Sequence, residues 1–178
     1  MSGNSSIVGV SDHGGWAILV TVTPDGTVLD RRRVELVDDA LPAIPHHHEA
    51  QGLPIVKAVA LIERVRASAE RHAGLALDAL AKEFPNIAGI ALRSCPPLPP
   101  AIPERLNDYY ARNNADWVMY REVLAAVATA RGWAVHWVDA KKLDLGAKHL
   151  QLRSKVGAPW NNDHKLAMAL AQAQPARR

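Results

Sequence analysis

SIVGVSDHGGWAILVTV, residues 6–22, consists of two apolar runs joined by the polar segment Asp-His-Gly-Gly at positions 12–15. Short runs that are apolar at nearly every position are typical of strands buried on both faces of a sheet. Because a short glycine-containing link joins the two runs, we predict that they pair as an antiparallel hairpin. The link leaves Asp12 at the end of a buried strand, where a carboxylate needs a charged partner, a bound ion or water. The hairpin therefore predicts a sheet with a candidate site at the end of its first strand.

The segments after the hairpin predict three more strands and three helices. The Pro-Asp-Gly turn at 24–26 brings a third strand, 27–36, back beside the second, since proline presets φ and glycine accepts positive φ. The third strand carries many charged residues, which is typical of an edge strand. Apolar runs and helical periodicity then predict, in order, a long helix, a strand, a second helix, a strand and a last helix at about 162–172.

This order, β-β-β-α-β-α-β-α, predicts an α/β fold with a mixed five-stranded sheet and helices on both faces. Short hairpins give antiparallel neighbours, whereas helical crossovers give parallel ones. With 178 residues, 48% of them hydrophobic, we expect a single domain, 1–178, that has a proline-rich arm at 95–103 and a short basic C-terminal tail. Ligand sites in such sheets favour the carboxyl ends of the parallel strands. The strand directions place four features at that end, namely the turn at 12–13, the connector at 46–49, the strand end at 93–95, and Asp139 with the start of the last helix.

Apolar runs, the N-terminal segment and the cysteine count together indicate the cellular compartment. No apolar run approaches the length needed to cross a bilayer, and the first fifteen residues lack the pattern of a secretion signal. The single cysteine, Cys95, cannot form an internal disulfide, which fits a reducing compartment. We therefore expect a cytoplasmic protein with no membrane partner.

Positive charge is concentrated in the C-terminal part of a chain whose formal net charge is +3. Six lysines and arginines stand against two aspartates between positions 141 and 165. Such a segment either binds the phosphates of a nucleic acid or forms a solvated helical face. Three successive arginines lie in the third strand, where alternation predicts Arg31 and Arg33 on one face and Arg32 on the other.

Two connectors have an unusual composition. The arm CPPLPPAIP, 95–103, contains five prolines and is predicted to be a rigid surface loop. The second connector, between the third strand and the long helix, contains three successive histidines at 46–48. If this connector is extended, His46 and His48 face the same side, with the spacing of a two-histidine ligand pair. A solvated loop is the alternative interpretation of this histidine run, because the spacing alone is unspecific.

The hairpin VGVSDHGGWAILV and the late segment PWNNDHKLAMALA resemble the first hairpin and the final helix of the RuvC-type resolvases, a branch of the ribonuclease H-like fold. The resemblance covers roughly residues 7–171. It implies a ribonuclease H-like domain with metal-dependent nuclease activity on nucleic-acid phosphodiesters. In that family, carboxylates from strand one, the end of strand four and the last helix hold divalent cations, here Mg²⁺ or Mn²⁺, that activate water and stabilise the leaving oxygen.

Carried over by position, the resemblance implies that Asp12 is the first metal-binding aspartate and Asp163 the helix acid, with His164 as an alternative ligand. At the end of strand four, where the family has an acid, this sequence has Arg93 and Ser94. An arginine beside two carboxylates neutralises them instead of recruiting a cation. The missing acid would then have to come from elsewhere in the chain.

Other acids are candidates for the missing position. Glu63 of the first long helix, or equally Glu70, could supply a helical carboxylate, and Asp139 follows the fifth strand. Residues expected to hold the phosphate backbone are Lys141, Lys142, Arg93 and Lys165.

Two functions from different classes remain open at this point. The first is a metal-dependent nuclease that uses Asp12 and Asp163. The second is a ribonuclease H-like module that lacks the strand-four acid and binds nucleic acid or another protein. The alternatives without a functional site are that Asp12 forms hydrogen bonds within its own turn and that Asp163 caps its helix. A contact of Arg93 with these carboxylates would favour the second function. A homodimer also stays open.

Overall fold

The computed structural model describes residues 5–145 and 156–173. Its strands are β1 (Ser6–Asp12), β2 (Trp16–Val22), β3 (Val28–Glu35), β4 (Ile87–Arg93) and β5 (Ala134–Val138). Its helices are α1 (Ile55–Glu83), α2 (Ile102–Asn107), α3 (Tyr109–Ala130) and α4 (Asn162–Gln172), and a single 3₁₀ turn, Ala140–Lys142, follows β5. The predicted order of elements is confirmed, and α2 is an additional short helix that the sequence pattern does not predict.

The five strands form one mixed sheet in the order β3-β2-β1-β4-β5. β1 pairs antiparallel with β2, and β2 pairs antiparallel with β3. β1 pairs parallel with β4, and β4 with β5, as expected for strands joined by helical crossovers. The predicted edge position of β3 is confirmed. The carboxyl ends of β1, β4 and β5 therefore lie at the same end of the sheet.

Helices cover both faces of this sheet, as predicted. On one face Val8 and Val10 of β1 belong to a core that also contains buried residues of α1 and α3. On the other face Ile18 and Val20 of β2 pack with Ala167 and neighbouring residues of α4. Because successive strand residues point to opposite faces, β2 contributes to both cores, with Leu19 in the first and Ile18 in the second. The face that a side chain occupies at the end of β1 thus decides which helix it meets.

Gly9 lets α4 lie directly against β1. A Cβ atom at this position would stand 1.7 Å from the carbonyl oxygen of Ala167, which is a backbone atom. Only a residue without a side chain permits this approach. The close contact fixes the start of α4 beside the end of β1, where the candidate site lies.

The proline-rich arm has no regular secondary structure up to residue 101, and α2 begins at Ile102 with Pro103 in its first turn. Proline is tolerated there because the first amides of a helix have no intrahelical acceptor. Arg105 of α2 donates from Nε to the carbonyl of Pro99 at 2.7 Å and so ties the arm down. The loop prediction for 95–103 is thus wrong only at its last two residues. Within the described ranges, no helix combines the length and the apolar character that crossing a membrane requires.

Candidate functional site at the ends of strands β1 and β4

The carboxylate of Asp12 is fully buried and bound by two arginines. Arg93 at the end of β4 donates from Nε to Asp12 Oδ1 at 3.0 Å and from Nη2 to the Asp12 main-chain oxygen at 2.7 Å. Arg121 of α3 donates from Nε to Asp12 Oδ2 at 2.8 Å. The Asp12 side chain is 0% exposed, and those of Arg93 and Arg121 are 27% and 10% exposed. We call these three residues the arginine–aspartate cluster.

The residues on either side of Asp12 point to the opposite face of the sheet and contact α4. Ser11 donates from Oγ to Asp163 Oδ1 at 2.9 Å, and His13 Nε2 lies 2.7 Å from the same oxygen. We call Ser11, His13 and Asp163 the hairpin–helix cluster. Asp12, in contrast, shares the face of Val8 and Val10 and meets α3. The two aspartates that the family resemblance pairs at one site therefore bind different partners on different faces of the sheet.

Asp163 does not cap its own helix, so the purely structural role considered for this residue is wrong. Asn161 is the N-cap, and its Oδ1 accepts from the amides of Asp163 at 3.0 Å and of His164 at 3.3 Å. Partial burial opposes ionisation of Asp163, but the hydrogen bonds with His13 and Ser11 prevail and lower the pKa of this carboxyl group. Asp163 is consequently held as an anion by groups of the first hairpin.

His164, the predicted alternative ligand, is part of the helix cap. Its side chain is buried, and Nδ1 lies 2.7 Å from Asn161 Oδ1. Burial, together with the positive charge of Arg31, lowers the pKa of His164, so the neutral ring is favoured. Its position in the cap gives His164 a structural role that the sequence does not indicate.

An aromatic column adjoins the hairpin–helix cluster. The ring of His13 stacks on that of Trp16 with 3.9 Å between centroids and 4° between planes. Arg33 of β3 places its guanidinium carbon 3.9 Å from the centre of the Trp16 ring. Arg31 lies on the same side and donates to the main-chain oxygens of Val156 and Ala158, whereas Arg32 reaches Glu83 of α1 on the other side. The predicted alternation of the three arginines is confirmed.

The remaining acids proposed from the sequence lie apart from both clusters. Glu63 and Glu70 are exposed on α1. Asp139 accepts from the amide of Lys141 at 3.1 Å and thereby caps the 3₁₀ turn. Glu63, Glu70 and Asp139 do not complete a carboxylate cluster with Asp12 or Asp163.

Cys95, which follows β4, is a thiol and not a thiolate. Burial, as the largest effect, raises the pKa of the Cys95 thiol, so this cysteine is not poised as a nucleophile.

The basic residues that the sequence predicts as phosphate contacts lie at the end of β4, after β5 and in the first turns of α4. Arg93 pairs in register with Val138, and Lys141 and Lys142 follow β5 directly. Both lysines are exposed, and Lys142 Nζ lies 3.8 Å from Asp139 Oδ2. Lys165 stands in the first turns of α4 and is partly exposed. The other basic residues of the segment, Lys148, Arg153 and Lys155, and the basic tail lie outside the described residues.

The donor set does not fit a divalent cation. Residues 5–145 and 156–173 contain no group of three or more His, Cys, Asp or Glu side chains placed to hold a metal ion. At Asp12, the position expected to bind the metal, two guanidinium groups occupy the carboxylate and repel a further cation. The arrangement is suited to binding anions instead.

The histidine run has a different structure from the extended connector that its spacing suggests. Residues 45–52 form turns; His46 is buried and His48 is exposed. Asp116 of α3, itself buried, accepts from the amides of His46 at 3.1 Å and His47 at 3.0 Å, and its Oδ1 lies 2.7 Å from His46 Nδ1. The connector is thereby held against α3.

Three important residues were missed from the sequence, namely Ser11, Asp116 and Arg121. A signal for two of them exists in the helical spacing of α3. Asp116 precedes the buried Tyr120 by four residues, and Arg121 precedes the buried Leu124 by three, so both charges lie on the apolar stripe. A charge in an apolar stripe requires a buried partner, which these two residues find in the connector and in Asp12.

The fold itself matches that of a solved structure. The structure of T. thermophilus RuvC in complex with Holliday junction substrate is similar to this chain with a TM-score of 0.57, over 94% of this chain and 90% of that one, at 14% sequence identity. No protein-family model and no curated protein sequence matches the chain. The chain therefore has a ribonuclease H-like fold of the RuvC type, as the resemblance of the hairpin and last helix predicts. At this identity the similarity shows the fold and leaves the activity to be argued from the site.

Proposed function

We propose that this chain is a nucleic-acid-binding domain that uses a ribonuclease H-like fold and contacts phosphate through arginine. The observation that carries the proposal is the full burial of the Asp12 carboxylate between Arg93 and Arg121. In this cluster two positive charges meet one negative charge, so an excess of positive charge remains at the carboxyl ends of β1 and β4. An anionic ligand is attracted to such a position.

Arg93 is the residue of the cluster that is best placed to meet a ligand. Its side chain is 27% exposed, whereas that of Arg121 is 10% exposed. Its Nε and Nη2 atoms are bound to Asp12, which fixes the plane of the guanidinium group. An arginine held in this way loses little conformational entropy when it binds phosphate, and its planar group suits phosphate geometry.

Other basic residues extend the proposed surface along the same end of the sheet. Lys141 and Lys142 follow β5, and Lys165 stands near the start of α4. Flexible exposed lysines bind phosphates as point charges and carry no sequence information. We infer that they position a nucleic-acid backbone around Arg93. The RuvC neighbour was solved with a Holliday junction, which makes a four-way junction a suitable probe for this chain.

A metal-dependent nuclease, which the family resemblance implies, is the competing function. It would require a cation at Asp163, whose side chain is 27% exposed. Asp163 is bound by Ser11 and His13, and Asp12 faces α3. We therefore favour binding over hydrolysis and assign no step to Mg²⁺ or Mn²⁺.

The proposal is tested by fluorescence anisotropy with a labelled four-way junction at several salt concentrations. We expect the wild-type chain to bind, with log Kd rising linearly with log salt, because phosphate contacts release counterions. Arg93→Gln removes one such contact and should reduce this slope by about one. Arg121 still neutralises Asp12 in this variant, so the fold should persist.

Arg64→Gln is the matched control, since Arg64 is exposed on α1 and is not part of the arginine–aspartate cluster. It removes the same charge and should leave the slope and the affinity nearly unchanged. Equal losses in the two variants would mean that the binding depends on net charge alone. No binding of any nucleic acid at low salt would contradict the proposed function.

A further inference from the structure

The ring of His13 is held in a fixed orientation at the protein surface. Its Nε2 lies 2.7 Å from Asp163 Oδ1, and its amide donates to the Trp16 carbonyl at 2.9 Å. One face of the ring is covered by Trp16, with the planes nearly parallel. The side chain is nevertheless 37% exposed. Within the described part of the chain, the imidazole has no stacking partner other than Trp16.

Trp16, which covers the His13 ring, makes further contacts of its own. Arg33 lies over the Trp16 ring and donates from Nε to Glu35 Oε1 at 2.7 Å. Trp16 packs in turn against the core formed with α4. A surface ring supported in this way stacks on a further planar group with little loss of conformational entropy.

We propose that the exposed surface of His13 is a stacking site for an unpaired nucleobase. This inference rests on the proposed function: the two clusters lie on opposite faces of the sheet but both at the carboxyl end of β1, so a backbone that crosses this end from Arg93 would bring nucleotides to the hairpin turn. Asp12, which binds Arg93, is the neighbour of His13 in sequence. In a continuous duplex both faces of each base are covered by neighbouring bases, so an internal paired base offers no face to His13. The ligand class is therefore a nucleic acid that contains unpaired bases, such as a single strand, a flap or an opened junction.

Two variants separate stacking from the polar contact with Asp163. His13→Phe keeps a flat ring but removes the hydrogen-bonding nitrogen, whereas His13→Gln keeps a polar group but removes the ring. The probe is a short DNA duplex with one unpaired 2-aminopurine, whose fluorescence falls when the base stacks on another ring. A fully paired duplex of the same length serves as the reference ligand, and thermal unfolding of each variant checks that the fold is retained.

We expect wild type and His13→Phe to quench the unpaired 2-aminopurine and to bind this probe roughly tenfold more tightly than the paired duplex. His13→Gln should lose both the quenching and the preference while still binding the paired duplex. Equal behaviour of the two variants, or no preference in wild type, would overturn the stacking site even if the paired duplex binds. Failure to bind either DNA would contradict the proposed function as well.

Discussion

Arg121 Nε lies 2.8 Å from Asp12 Oδ2, which joins the end of β1 to the middle of α3 across 109 positions of the chain. Both side chains are nearly or fully buried. Removing one partner of a buried ion pair leaves an uncompensated charge, which destabilises a protein far more than the loss of an exposed pair. The arginine–aspartate cluster therefore links the stability of the fold to the charge of the site.

Asp12→Asn should lower the free energy of unfolding by about 3 kcal/mol, because it leaves two adjacent guanidinium groups without a counter-charge. Urea denaturation measures this loss. Asp78→Asn is the control, since Asp78 is 68% exposed and pairs with Arg131 at the surface. That variant should lose less than about 1 kcal/mol. Similar losses in the two variants would show that the burial of Asp12 does not matter for stability.

Gly9→Ala should destabilise the fold strongly, because its Cβ would meet the main-chain oxygen of Ala167 and push α4 away from β1. Gly74→Ala is the comparison within α1, where the nearest atom to an added Cβ is Arg131 Nη2 at 4.0 Å. That change should stabilise the protein by roughly 0.5–1 kcal/mol, since alanine favours helix over glycine. Thermal unfolding of the two variants would refute this packing if Gly9→Ala melted at or above the wild-type temperature.

Asp116→Ala should release the connector from α3. The variant leaves the amides of His46 and His47 and the His46 ring without their shared acceptor. Each buried donor that loses its partner costs roughly 1–3 kcal/mol. Hydrogen exchange should accelerate at the His46 and His47 amides more than at the amides of β1. Unchanged protection of these two amides would argue that Asp116 does not hold the connector against α3.

Acid unfolding should depend on Asp163. Its pKa is lowered in the folded chain, so its contribution to stability is present above its unfolded pKa of about 3.9 and is lost as the pH falls through the lower folded value. Asp163→Asn should therefore flatten the loss of stability below about pH 4. Denaturant unfolding at a series of pH values measures this. An acid limb as steep as that of wild type would contradict the proposed hydrogen bonds with Ser11 and His13.

The sequence predicts the layout of this fold better than the direction of its functional side chains. The hairpin, the charged edge strand β3 and the last helix are encoded by local patterns, so their order and pairing could be derived from the sequence. The short helix α2 follows several prolines and has too few residues to show a period. Its start therefore depends on contacts such as that of Arg105 with Pro99, which local pattern does not reveal.

The error at the candidate site comes from a shift of one residue along β1. Alternation places Asp12 with Val8 and Val10, and Ser11 with Gly9, but the sequence does not tell which face α4 will cover. The close approach of α4 at Gly9 settles this in the structure, and Ser11 is the residue that meets Asp163. The sequence indicates Arg93 as a partner of Asp12. The contact of Arg121 with Asp12 cannot be predicted in this way, because it depends on how α3 packs against the sheet.

The most direct test of an arginine-based phosphate site is the effect of divalent cations on a four-way junction incubated with the wild-type chain. We predict that the junction is bound in EDTA with an affinity unchanged by Mn²⁺ at constant ionic strength, and that it stays intact. Binding that requires Mn²⁺, or strand cleavage that appears with Mn²⁺ and disappears in Asp163→Asn, would contradict this account.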